Sequence, residues 1–145
     1  MPEFIQYDEI NEIIKVNRKI VEERNESFGV DETKIYDIIN SVNLASDPSI
    51  LNVRERIIKK ASIILARITW EQPFNNGNKA TALYFTTQFL NKNKFDLLIS
   101  SNPTIQKQIF HLLETTAMKF EGENILDDVF KFLDENVNDF KFTDL

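Results

Sequence analysis

No cysteine occurs in the 145 residues, and histidine occurs once, at His111. Disulfide staples, thiolate nucleophiles and thiolate metal sites are thereby excluded, as are sites that need more than one imidazole. Glycine is present three times and proline four times. So few turn-formers favour long helices over many short strands. No apolar run approaches the ~18 residues of a membrane span, and no secretory leader is expected at the start. An excess of cations is missing too: 17 Lys and Arg stand against 23 Asp and Glu, a net charge of −6. General nucleic-acid binding is not expected, because phosphate contacts need surplus Lys and Arg.

What is present suits a soluble globule. With 42% hydrophobic residues, the chain is long enough to bury a real core. The expectation is one domain over residues 1–145, without a membrane partner and in the cytoplasm. No repeat or low-complexity tract interrupts it. Arg54-Glu55-Arg56 followed by Lys59-Lys60 is a local basic patch, read as a solvated helix face.

Apolar spacing close to 3.6 residues runs from Tyr7 to about Arg24, through Ile10, Ile13, Ile14, Val16, Ile20 and Val21, and predicts an amphipathic helix. Asp31 is the predicted cap of a second helix, with Ile35, Ile38, Ile39 and Val42 inward. Asp47-Pro48-Ser49 marks a loop. Asn52 to Glu55 has the form of a capping box opening a third helix to about Trp70, which Pro73 stops. Phe95 to Ile99 is either extended or a connector. Asn102-Pro103 starts a further helix, Gly122 breaks it, and a last helix follows with Ile125, Val129, Phe130, Phe132 and Leu133 apolar. Phe140 and Phe142 suggest a docked tail.

The segment from Trp70 to Leu90 stands apart. A polar loop with Pro73 and Gly77 leads into a run, Ala80 to Leu90, that is apolar or small on every face. Such a helix belongs at the centre of a bundle. The loop then lies at the helix N-terminus, where free N–H groups and the positive end of the dipole attract anions. Gly77 permits a close turn and Lys79 adds a positive charge, so Gly77, Asn78 and Lys79 form a candidate phosphate cradle anchored by Phe74.

Residues Gln72-Pro73-Phe74-Asn75-Asn76-Gly77-Asn78-Lys79-Ala80-Thr81-Ala82 resemble the signature of the Fic/death-on-curing family, H-P-F-x-D-G-N-K-R-T-A. Pro73, Phe74, Gly77, Asn78, Lys79, Thr81 and Ala82 match. The predicted order of helices resembles the Fic bundle over roughly residues 4–135. The resemblance implies an all-α fold, a helical bundle around a buried central helix that follows the signature loop. It also implies transfer of a phosphate or nucleotidyl group from ATP or another nucleoside triphosphate, with Mg²⁺, to a hydroxyl of a protein target. Length and the Gly77-Asn78-Lys79 form are nearer the death-on-curing branch, whose partner is a separate antitoxin. Many Fic proteins carry an inhibitory helix marked [S/T]-x-x-x-E-[G/N]. Glu121-Gly122, Glu123-Asn124 and Glu135-Asn136 lack the Ser or Thr four residues earlier.

Three places differ from that signature. Gln72 stands where the family has its general-base His, Asn76 where it has the acid that holds Mg²⁺, and Ala80 where it has Arg. A neutral amide accepts a hydrogen bond but carries away no proton at pH 7. Loss of general-base help costs roughly 10²–10⁴-fold. Asn76 is a weak metal candidate because it keeps an oxygen but drops the charge. Ala80 removes a five-donor fork. Glu71 reads as a surface carboxylate and His111 as a helix-face or core-edge residue rather than as substitute bases. Two readings remain open: a toxin-like transferase with little or no activity, and a non-catalytic phosphate- or partner-binding module on the Fic fold. Natural decay and deliberate disabling of a toxic parent leave the same sequence.

Overall fold

Asp31 and Asn52 both cap helices, as their chemistry predicts. The Asp31 carboxylate accepts from the Lys34 amide at 3.3 Å, and the Asn52 side-chain oxygen accepts from the Glu55 amide at 2.8 Å. Those caps open α2 (Glu32–Leu44) and α3 (Val53–Glu71). The first helix, α1 (Tyr7–Glu23), ends where Asn25 enters the left-handed region at φ 57°. There Glu26 N donates to Val21 O and Asn25 N to Glu22 O, the paired bonds of a Schellman stop.

The computed structural model describes residues 3–45, 52–97, 103–117 and 125–139. Beyond the first three helices these contain α4 (Asn78–Lys92), β1 (Phe95–Asp96), α5 (Pro103–Ala117), α6 (Ile125–Asn136) and β2 (Asn138–Asp139). The strands form one short antiparallel ladder, Phe95 opposite Asp139 and Asp96 opposite Asn138. The fold is all-α apart from that ladder and an isolated bridge between Val30 and Phe74. The expected 47–49 loop, the Asn102 cap, the Gly122 break and the docking of Phe140 and Phe142 lie outside the described residues.

Within the bundle, α3 packs against α2, α4, α5 and α6, while α1 lies on α4. The helix after the signature loop is buried along the face that carries Ala82, Phe85, Phe89 and Leu90. Leu83, however, is only partly buried and Tyr84 is 46% exposed. The helix enclosed on most sides is α3, from Ile57 and Ile58 to Ile68 and Thr69. Hydropathy hides this because Lys60 and Ser62 interrupt the apolar pattern. Both are buried with partners: Lys60 Nζ donates to Glu3 O at 3.0 Å, and Ser62 Oγ donates to Ile58 O at 2.7 Å.

The expected solvated basic face is largely a set of ion pairs. Arg56 grips the Glu3 carboxylate with two bonds, at 2.5 and 2.8 Å, and Lys60 stands 3.8 Å from the same group. Arg54 pairs with Asp134. The Arg56 hydrogen bond holds the Glu3 carboxyl below its ordinary range, against the opposing effect of burial. Burial in turn pushes the Lys60 ammonium down. These contacts tie the start of the chain and α6 to the first turns of α3. No helix of the described residues is long and apolar enough to cross a membrane.

Candidate functional site

The loop between α3 and α4 is built from its own backbone outward. Pro73 cannot follow a right-handed helical residue easily, and Gln72 takes the left-handed conformation, φ 50° and ψ 63°, as the C-cap of α3. Phe74 is then carried into the core, 3% exposed, and becomes the loop's apolar anchor. The chain from Gly29 to Asp31 runs antiparallel beside it: Asn75 N donates to Gly29 O at 2.9 Å and Asp31 N to Pro73 O at 2.7 Å. A Cβ on Gly29 would come within 2.1 Å of the Asn75 side chain, so a larger residue there would have to displace that exposed side chain.

Gly77 turns the loop into α4 at φ 74°, and its missing Cβ would meet Asn17 Nδ2 at 3.1 Å and Val21 Cγ1 at 3.2 Å. Asn17 is a buried polar residue of α1 that apolar periodicity does not single out. Its amide nitrogen donates to Asn76 O at 2.8 Å and to Thr81 Oγ1 at 3.1 Å. It therefore fixes both the loop and the first turn of α4 to α1.

The Asn78 side chain is engaged within the loop. Its oxygen accepts from Phe74 N at 3.0 Å and its nitrogen donates to Phe74 O at 2.8 Å, closing the loop on itself. The backbone is what remains for an anion. Thr81 N is the first amide of α4 to bond back, to Gly77 O at 3.0 Å, so the amides of Asn78, Lys79 and Ala80 precede the ladder. Lys79 makes no ion pair among the described residues.

These amides open on a cleft of about 410 Å³, within the ordinary range for small-ligand sites. Gln72, Asn76, Gly77, Asn78, Lys79 and Ala80 all line it; Phe74 lies beneath. Four further lining residues come from helices: Thr69 in the last turn of α3, just before the loop, and from distant elements Arg24 at the end of α1 and Phe110 and Glu114 one turn apart on α5. Thr69 is fully buried, and its hydroxyl has no partner among the described residues. Only tertiary packing brings Arg24, Phe110 and Glu114 to the loop.

A model of the Fic/DOC family matches residues 7–90, from the first turn of α1 to the last residues of α4. The chain belongs to the Fic/DOC family. Comparison with curated proteins and with solved structures gives no significant match. In this Fic/DOC chain the whole segment that resembles the signature, Gln72 to Ala82, falls inside the matched region.

The two other groups considered as bases are placed elsewhere. Glu71 is bonded through its carboxylate to Arg67, and its carbonyl accepts from Lys34 Nζ at 3.2 Å. His111 is exposed on α5 in a separate depression with Gln108 and Lys131. Gln72 itself is exposed on the rim of the cleft. The donors also do not fit the Mg²⁺ that the family implies. Asn76 offers a neutral amide whose nitrogen donates to Ser27 O at 3.0 Å and Ser27 Oγ at 3.3 Å. Glu114 is the lone carboxylate among the lining residues, and the described residues contain no group of three or more acids or His that could hold a metal ion.

Proposed function

We propose that this Fic/DOC protein binds the phosphate end of a nucleotide at the start of α4 and transfers little or none of it to protein. One observation carries the reading. Amides 78–80 precede the helical ladder beside Lys79, which has no ion pair among the described residues, while the side chain at the place of the family's His is the amide of Gln72. Phosphoryl and nucleotidyl transfer depend on positioning and charge neutralisation. Attack by a protein hydroxyl also benefits from a base, which an amide cannot supply. Antitoxin binding, a protein target and cytoplasmic location belong to the same toxin-like reading.

Calorimetric titration of the purified chain with ATP and with GTP tests the binding half. Saturable heat that disappears in Lys79→Gln supports it. No heat from either nucleotide at millimolar concentration would contradict it. The alternative, a module that binds a protein partner and performs no chemistry, gains support from the strained Gln72 backbone, which persists without a base to present. Protein capture in the absence of any nucleotide affinity would favour that alternative.

A further inference from the structure

Ala80 leaves the cleft without the cation that the signature normally places there, and Asn76 leaves it without the acid for a metal. A polyphosphate bound to amides alone would keep most of its charge unneutralised. The cleft nevertheless carries a second cation, supplied by another helix.

We propose that Arg24 is a ligand-binding residue of this site, and that Arg24 and Lys79 together hold a pyrophosphate unit without a divalent metal. The inference rests on the reading of the cleft as a phosphate site. Arg24 occupies the C-cap of α1, and both its backbone and its surroundings are fixed. The Schellman bonds of Asn25 and Glu26 stop the helix one residue later, and the Asn17 bond to Asn76 O locks α1 to the signature loop. The side chain lines the cleft with Lys79, and its guanidinium has no ion pair or hydrogen bond among the described residues. By contrast Arg54, Arg56 and Arg67 all have acidic partners, and Arg18 lies 4.3 Å from the centre of the Phe28 ring. A planar fork of donors suits two adjacent phosphate oxygens better than an ammonium does.

A second observation points to a ligand. Thr69 lines the same cleft, is fully buried, and carries a hydroxyl unpartnered among the described residues. Buried hydroxyls are normally satisfied, and of the two left unpartnered among the described residues, Thr69 and Thr86, only Thr69 lines the cleft. Glu114 is the opposing charge on the cleft wall and weakens anion binding. A simpler role for Arg24 is to complement the negative end of the α1 dipole. That role predicts a change in stability and none in ligand preference.

The test uses calorimetry with inorganic pyrophosphate and orthophosphate, in EDTA and in excess Mg²⁺, on the full chain and on Arg24→Gln, Arg24→Lys, Lys79→Gln and Glu114→Gln. The full chain is expected to bind pyrophosphate in EDTA, more tightly than orthophosphate. Arg24→Gln and Lys79→Gln should each weaken pyrophosphate about 10- to 100-fold, the range for a charge-assisted hydrogen bond. Arg24→Lys should recover part of the loss, and Glu114→Gln should tighten binding. Arg24→Gln should also narrow the preference for pyrophosphate over orthophosphate, which a dipole role would not move. Unchanged pyrophosphate affinity in Arg24→Gln, with a loss in Lys79→Gln, would remove Arg24 and leave the phosphate cleft standing. A requirement for Mg²⁺ would overturn the metal-free arrangement. Absence of binding by the parent chain in both buffers would overturn the cleft reading itself.

Discussion

The two ends of α3 differ in how far their polar groups are matched. At its start, Arg54 meets Asp134, Arg56 meets Glu3, and Lys60 meets the Glu3 carbonyl and carboxylate. At its finish Arg67 is also paired, with Glu71 and Asp37, but the groups round the cleft are not: the buried Thr69 hydroxyl and two cations, Arg24 and Lys79, have no partner among the described residues, and Gln72 is left-handed. Matched groups fasten elements together. On the reading proposed above, the unmatched groups gathered round the cleft await a ligand. The same helix thus carries a fastening at one end and the proposed site beside the other.

The largest expected effect would come from the one residue that serves both fastening and site. Phe74→Ala empties a core position beneath the loop and should cost about 3–5 kcal/mol, as large aromatic truncations do. Urea unfolding gives the stability change, and phosphate titration should fail in parallel. Retained anion affinity in the folded variant would show that the cleft does not depend on its anchor.

A smaller, purely structural loss is expected for Glu3→Gln at the paired end. The urea midpoint should fall while anion affinity stays unchanged. The loss has a defined pH dependence. Arg56 lowers the Glu3 pKa on folding, so the stabilisation is complete above the unfolded carboxylate value, about 4.3, and vanishes as pH falls through the folded value. The difference between parent and variant should therefore close in acid. A gap that stays constant between pH 7 and pH 3 would show that the pair contributes nothing through its charge.

The smallest effect sharpens the contrast from the other side. Gln72→Gly removes a side chain from the left-handed region and should stabilise the chain, by up to about 1 kcal/mol. A fall in stability would mean that the Gln72 side chain holds the loop through a contact and is not a strained residue at a site.

The contiguous features were the legible ones. Asp31 and Asn52 announce their helices because a cap acts within three residues, and the signature is readable because its loop is an unbroken stretch from Gln72 to Ala82. Apolar periodicity located the inward stripes of α1 and α2. It did not show that α3 is enclosed on most sides, because Lys60 and Ser62 look like a wet face until Glu3 and the Ile58 carbonyl supply their partners. Asn17 was invisible for the same reason: a polar residue on an apolar stripe declares itself only when the Asn76 carbonyl and Thr81 hydroxyl are beside it. Arg24, Thr69, Phe110 and Glu114 join the cleft from three different helices, and no spacing rule connects them. The Asn25 stop after α1 was the one local signal near Arg24, since asparagine tolerates the left-handed turn.

The central claim is that the cleft keeps its phosphate-holding half and has lost its proton-accepting half. The most direct measurement compares the chain with the combined Gln72→His, Asn76→Asp and Ala80→Arg variant, each incubated with cell extract and ATP labelled at the α or the γ phosphate. The three changes are made together because such groups act as a unit. Asn76→Asp also removes the amide donor to Ser27, so circular dichroism must first show the variant folded. The parent should transfer no detectable label, and the variant should raise transfer by about 10²-fold or more, with the label position separating nucleotidyl from phosphoryl transfer. Strong transfer by the parent chain, or silence from the folded variant while it still binds nucleotide, would contradict the account.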